Sequence, residues 1–424
     1  MSNSKLLSSD NFVNNTFFIV LFFLLFNPVV SLIFVIILGI NHNYSKSISF
    51  WMTILSYTVF FYDREYDVQF YSDSTDDVPV YISYYLNLSG ISFSEIFKRF
   101  IVFPSGNEPV WHIIWWFVNY FTNSHVGIFV FLHYLVIFYF FANISRILFP
   151  VGFEIVFLLL LFLFPVTLYN ICHIWRQILS FEFFILGSLL YFQKDKRGVG
   201  LGYIILSVFT HISSLYFLVI FILYIIYLRF VNKITKKNLM YLTLIILVFI
   251  GLSLQIIITI LGETFSRLAN YTEGASANRE GIGFKLTFYL LLTIYAFIKS
   301  NLTRFNAFLL LNIFIPLCLP FLFPALNSIY DRYFSLALTA LSLYLFMISV
   351  HVRHNLIIIR EKLLFFLIIT LILVNFIKLF MEYQAGIGVI AYIGDSNAFN
   401  VTNGLIRFLY NFIFCENKYC GSVI

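Results

Sequence analysis

Residues 169–184, YNICHIWRQILSFEFF, set an arginine, Arg176, between two long apolar runs. An arginine at the centre of a membrane helix costs about 2.5 to 3.5 kcal/mol, so such a residue either reaches the interface or serves a function. Further arginines recur in the polar segments between other apolar runs: Arg64, Arg267, Arg279 and Arg332. Several guanidinium forks converging from separate segments would clamp a diphosphate and stabilise it as a leaving group without a metal. His211 interrupts the apolar run 199–228, where a neutral imidazole could position or deprotonate a hydroxyl. Glu108 and Asp77 are the other candidates for that proton. Each of these side chains also has a purely structural reading, as a snorkelling cation, an ion-pair partner or a satisfied polar group.

The elements that must hold these residues follow from composition. Hydrophobic residues make up 61% of the 424 and charged residues only 11%, which describes a polytopic membrane protein and no soluble domain. The apolar runs 17–40, 50–62, 126–142, 153–169, 177–193, 239–261, 286–298, 305–324, 334–350 and 363–381 read as spans. The first carries Asn27-Pro28 in its middle and no small-residue cleavage site, and reads as a retained helix. Counting the less regular runs 109–121 and 199–228, the expectation is an all-α fold of roughly 10–13 transmembrane or re-entrant helices.

Charge supplies the orientation. Lys and Arg crowd the short linkers 41–49, 143–152, 194–198, 229–238, 299–304 and 351–362, which places those linkers in the cytoplasm. The formal charge of +6 is therefore scattered over linkers, and no basic domain exists to hold a nucleic acid. Both linkers flanking 199–228 are basic, so that run should turn back on itself. A short helical hairpin broken around Thr210-His211-Ile212-Ser213 satisfies this, with a single tilted helix as the alternative. The run 109–121, PVWHIIWWFVNYF, is expected along or dipping into the outer face, with Trp111, Trp115, Trp116 and Tyr120 as interfacial aromatics.

Three larger polar pieces remain outside: 63–108, 262–284 and 383–424. The first interleaves Asp63, Glu65, Asp67, Asp73, Asp76 and Asp77 with tyrosines, which suits a solvated acidic loop or a surface that stacks and hydrogen-bonds sugars. Arg176 falls at the outer end of a helix beginning near Trp175. Glu182, inside that helix, should pair with a basic or hydroxyl group. Cys415 and Cys420 lie in the outer tail and suit a small disulfide loop, whereas Cys172 and Cys318 read as free thiols. No metal-ligand spacing and no Gly-rich nucleotide loop is present.

In order and spacing the chain resembles the EpsG-like branch of the Wzy polysaccharide polymerases. The motifs are Arg64, Asp77 and Tyr81 after an early helix; NEPVWHII with Glu108-Pro109; NICHIWRQILSFEFFILGS with Arg176; LSVFTHISSLYFLVIF with His211, Ser213 and Ser214; and YDRYFSLAL with Arg332. The chain departs from that pattern at DSTDD, where a glycine often precedes the acid, and at LSFEFF, where an alanine often stands. Either Asp76 or Asp77 can match the family's acid.

The resemblance implies a glycosyltransferase of GT-C-like architecture. On the outer face of a bacterial inner membrane it would join oligosaccharide repeat units carried on undecaprenyl diphosphate, building O-antigen, capsule or exopolysaccharide. Arg176, His211, Glu108 and Asp77 would serve the chemistry, and Arg64, Tyr81, Arg267, Arg279, Arg332 and Tyr271 the substrate. The implied partners are the lipid-linked oligosaccharide, the bilayer and a chain-length regulator, with no cofactor and no metal. Two alternatives share the cationic pocket: a glycosyltransferase using a polyprenyl-phosphate sugar, suggested by Asp76-Asp77, and a flippase. The flippase would be expected to show internal repeats and charges along a central path, which this sequence lacks.

Overall fold

The computed structural model describes residues 30–31, 33–35, 46–62, 78–96, 108–150, 160, 163–211, 213–231, 233–261, 279–322, 327–353 and 356–384. In chain order the elements are α1 (Lys46–Tyr62), α2 (Val78–Leu86), α3 (Pro109–Thr122), α4 (Val126–Leu148), α5 (Pro165–His173), α6 (Trp175–Phe192), α7 (Arg197–Thr210), α8 (Ser214–Phe230), α9 (Lys236–Leu261), α10 (Arg279–Lys299), α11 (Arg304–Leu322), α12 (Asn327–Ser349), β1 (Val350–Arg353), β2 (Leu356–Ile359) and α13 (Lys362–Gln384). The described chain is thus largely helical. Among the described residues, three helices are long and apolar enough to cross a membrane: α4, Lys236–Ser253 within α9, and α11.

The centre of the fold is α6. Every residue from Gln177 to Leu189 is buried, so this helix has no solvent or lipid face over that length. Its neighbours fix the directions of the next two helices. Gly187 of α6 meets Gly200 of α7, and Ser180 of α6 meets Ser207 of α7, so α7 runs antiparallel to α6. Along α8, Phe217 packs on Phe184 and Phe221 on Tyr191 and Phe192, while Tyr224 packs on Phe192, so α8 runs parallel to α6. Together α7 and α8 therefore form an antiparallel hairpin, broken at 211–213 as the polar interruption in the sequence suggests.

The α6–α7 crossing is closer than side chains permit. A Cβ built on Gly200 would lie 2.6 Å from the Gly187 carbonyl oxygen and 2.8 Å from the Tyr191 nitrogen, and one on Gly187 would lie 2.7 Å from the Gly200 oxygen. Small residues let helix backbones approach this way where hydrophobic contrast with lipid supplies little drive. The far end of the hairpin is tied down by the Tyr224 hydroxyl, which donates to the Arg304 carbonyl at 2.8 Å.

Several expectations change. The stretch Val350–Ile359 is a two-stranded antiparallel ribbon pairing Val350 with Ile359, so the fold is not purely helical; its β-branched residues favour this over a linker. The run 153–169 is not one span. Phe164 is extended (φ −128°, ψ 118°) and Pro165 opens a new helix, because proline disfavours helical backbone in the residue before it and suits the first helical position.

In α3, Trp111 and Trp115 are 2% and 3% exposed, so they are core residues and not interfacial anchors. Part of the expected outer loop 63–108 is the helix α2, whose Tyr81 and Tyr85 are buried. Neither Cys172 nor Cys318 is paired in a disulfide among the described residues. Cys415, Cys420 and the outer pieces 262–278 and 385–424 lie outside the described residues.

Candidate functional site

Glu108 is the N-cap of α3. Its carbonyl accepts the His112 N–H at 3.2 Å, and Pro109 at the first helical position gives up no needed donor. Its side chain does not cap the helix. It turns instead toward α6, where the Arg176 guanidinium donates from Nη1 to Oε2 at 2.6 Å. This is a short charge-assisted contact. The Glu108 side chain is 7% exposed and that of Arg176 is 26%, so the cation is the more open partner.

Arg176 is the second residue of α6. A cation in the first turn opposes the helix dipole, an effect of about 0.3 to 1 kcal/mol, so helix stability does not account for it there.

The third member comes from the hairpin tip. His211 Nε2 lies 3.5 Å from the other Glu108 oxygen, Oε1. The tautomer follows from Ser213, whose backbone N–H donates to His211 Nδ1 at 3.1 Å with its hydroxyl oxygen 2.6 Å away. A backbone N–H can only donate, so Nδ1 accepts and the ring proton belongs on Nε2, facing the carboxylate. Glu108 is thus approached by a donor at each oxygen, one from α6 and one from the α7–α8 connection.

Below this trio a serine relay holds the tip in register. Ser180 stands four residues after Arg176 and hence on the same face of α6. Its hydroxyl donates to the Ser207 carbonyl at 2.8 Å and makes a short contact with the Ser214 hydroxyl. The same Ser207 carbonyl accepts the His211 N–H at 3.1 Å. One side chain of α6 thereby fixes both legs of the hairpin beside His211.

Aromatic rings back the cation. The Arg176 Cζ stands 5.0 Å from the Tyr81 ring centroid, within cation–π range. Tyr81 stacks on Trp175 at 5.8 Å, Trp175 on His133 at 4.1 Å, and His133 on Trp115 at 4.7 Å. All four rings are buried. Tyr81 is held by α2, which Asn119 of α3 pins by donating to the Tyr85 carbonyl at 2.7 Å. Next to the trio, His112 lies in α3, which is too short at 14 residues to cross a membrane. Burial, and secondarily the Arg176 charge, push its pKa down to about 4.

The structure therefore brings together Arg176, Glu108, His211 and Tyr81 from among the residues the sequence suggests. Arg332 falls in α12, where only its backbone is described, but the next residue, Tyr333, packs on Tyr216 of the hairpin at 4.5 Å. Arg279 opens α10, with its side chain likewise outside the description. Arg64, Asp76, Asp77, Arg267 and Tyr271 lie outside the described residues. Glu182 does not find the partner expected for it: neither carboxylate oxygen has a hydrogen bond among the described residues. Ser180, Trp175 and His133 were not anticipated. Of these, only Ser180 left a usable sign, its four-residue spacing from Arg176.

A helical, apolar chain with a buried carboxylate shared between an arginine and a histidine at one end of the bundle defines a membrane protein with a polar site at a helix boundary. The chain belongs to the EpsG family, which it matches over residues 68–394. That membership, with the apolar helices, gives it a membrane-associated, polysaccharide-related function. No curated protein and no solved structure matches it.

Proposed function

We propose that the chain is a polysaccharide polymerase, a membrane glycosyltransferase that moves a growing chain from one undecaprenyl diphosphate to the acceptor hydroxyl of the next lipid-linked repeat unit, on the outer face of a bacterial inner membrane. The observation that carries this reading is the convergence of Arg176, Glu108 and His211 from three separate segments on one partly open point. Such a transfer needs a fixed cation for the departing diphosphate and an acceptor for the hydroxyl proton, both held in line. Arg176 fills the first role. Glu108 fills the second, because the His211 proton already occupies Nε2 and leaves that ring a donor toward the carboxylate.

Tyr81 and the rings behind it back the guanidinium, and Arg64, Arg267, Arg279 and Arg332 complete the cationic set, with Asp77 and Tyr271 on the sugar side. The many exposed apolar residues of α7, α8 and α9, among them Phe209, Ile222 and Ile245, suit a prenyl tail lying against the bundle.

The test uses a strain lacking the native gene. Arg176→Ala should leave the protein at normal membrane abundance while long polysaccharide chains collapse to single repeat units at the surface. Arg176→Lys should restore little, because the planar fork becomes a point charge and one transition-state contact is worth about 3 to 4 kcal/mol, or 10² to 10³ in rate. A near-normal ladder from the alanine variant would refute the role of Arg176. Loss of surface repeat units altogether, with the protein present, would identify a flippase instead.

A further inference from the structure

Resting on the polymerase reading, we propose that Glu108 occupies the place of the donor's diphosphate on Arg176, and that arrival of the diphosphate releases this carboxylate to serve as the base. The two anions want the same cation. A carboxylate and a phosphate present paired oxygens to a guanidinium in much the same way, and Arg176 already spends Nη1 on Glu108 Oε2 at 2.6 Å.

The asymmetry of the pair decides which group yields. The Arg176 guanidinium stands 5.0 Å from the Tyr81 ring, with Trp175, His133 and Trp115 stacked in turn behind it, so it is backed by a buried aromatic wall. It is also the more exposed of the two, so an incoming anion meets it first. Glu108 sits on one flexible side chain at a helix cap and has a second donor, His211 Nε2, 3.5 Å from its other oxygen. Losing Oε2 from the arginine would therefore leave the carboxylate held through Oε1 and directed at the hairpin tip.

The chemistry balances. As the acceptor oxygen bonds to the anomeric carbon, its proton passes to Glu108. The bond from that carbon to the phosphate oxygen breaks, and its electron pair leaves with the lipid diphosphate, whose negative charge rises by one against Arg176. Before the donor binds, Glu108 is tied to the arginine and makes a poor base, so hydrolysis by stray water is suppressed. Donor binding arms the site.

The exchange has a counterintuitive signature: removing the carboxylate charge should strengthen anion binding while abolishing transfer. The full-length chain in lipid nanodiscs is titrated with inorganic pyrophosphate by calorimetry. Glu108→Gln should bind it about tenfold more tightly than the wild-type chain, since the competing ion pair is gone. The gain should vanish in the double variant Glu108→Gln, Arg176→Ala. Glu108→Asp, one methylene shorter and still charged, should also bind more tightly than wild type, and it decides the matter if the glutamine variant does not fold.

Equal or weaker binding by the Glu108 variants, with wild-type binding retained, would overturn the exchange and leave the polymerase reading standing: Glu108 would then organise the arginine for its ligand. Tight binding that survives loss of Arg176 would also overturn it. No pyrophosphate binding by any form would overturn the exchange and the diphosphate reading together.

Discussion

Replacing Gly200 by alanine adds one methyl group where two helix backbones touch. The new Cβ would lie 2.6 Å from the Gly187 carbonyl oxygen and 2.8 Å from the Tyr191 nitrogen, closer than Cβ atoms approach such neighbours. Both obstacles are backbone, so neither can rotate aside, and α6 and α7 must part by a few tenths of an ångström. Overpacking of this kind costs about 1 to 3 kcal/mol, and the absence of a yielding side chain puts Gly200→Ala in the upper half of that range.

Alanine also gains about 0.8 to 1 kcal/mol of helix propensity over glycine, which partly offsets the clash. Gly202 separates the two effects. It lies two residues away in the same helix, and a Cβ there meets nothing within 4 Å. Gly202→Ala should therefore be at least as stable as wild type, and Gly200→Ala should fall about 2 to 3 kcal/mol below Gly202→Ala. Thermal unfolding of matched detergent-solubilised samples reads the difference. Because α7 carries His211 at its end, Gly200→Ala should also shorten the polysaccharide ladder, while Gly202→Ala leaves it intact. Equal stability of the two variants would show that the helices do not cross this closely, and the placement of His211 beside Glu108 would lose its support.

Two further outcomes follow from the site's supports. Tyr81→Phe should keep most polymer length, since the ring face remains, whereas Tyr81→Leu should lose about 0.5 to 2 kcal/mol of cation–π stabilisation of Arg176, roughly two- to thirtyfold in rate; comparable ladders from the two would remove Tyr81 from the site. Ser180→Ala should leave membrane abundance nearly normal but cut activity by about fivefold, because the Ser207 carbonyl and Ser214 lose the hydroxyl that holds the hairpin tip, a contact worth about 1 kcal/mol; unchanged chain-length distributions would mean that His211 is placed without it.

Much of the fold was legible because it depends on local signals. The polar break at Thr210–Ser213 between two apolar legs, with basic residues at both bases, announces a hairpin, and α6 shows in the apolar run 177–193 that follows Arg176. What the sequence hides is convergence. Glu108 and Arg176 are 68 residues apart, and nothing in either neighbourhood says that a capping glutamate will turn away from its own helix to meet an arginine.

Burial misleads in the same way. Trp111 and Trp115 have the composition of an interfacial belt, but α3 packs on α2, α4 and α7, where Trp115 stacks on His133 and Trp111 meets the same ring edge-on. The ribbon Val350–Ile359 was hidden by its basic residues, which read as a linker although its β-branched positions suit a strand. Glu182 is the opposite case: its burial was evident from the sequence, and nothing in the structure explains it.

The shortness of the α7–α8 hairpin has a kinetic consequence. Legs of 14 and 17 residues reach only about 21 and 26 Å, against a hydrocarbon layer of about 30 Å. With its bases at one boundary, the tip would stop a few ångströms short of the opposite one, which would set His211, Glu108 and Arg176 just beneath the lipid phosphates of that leaflet. A diphosphate-linked donor would then reach the arginine by sliding sideways, without being lifted from its leaflet. The encounter is a search in two dimensions, so turnover should follow the mole fraction of donor among the surrounding lipids and be indifferent to the volume of the suspension.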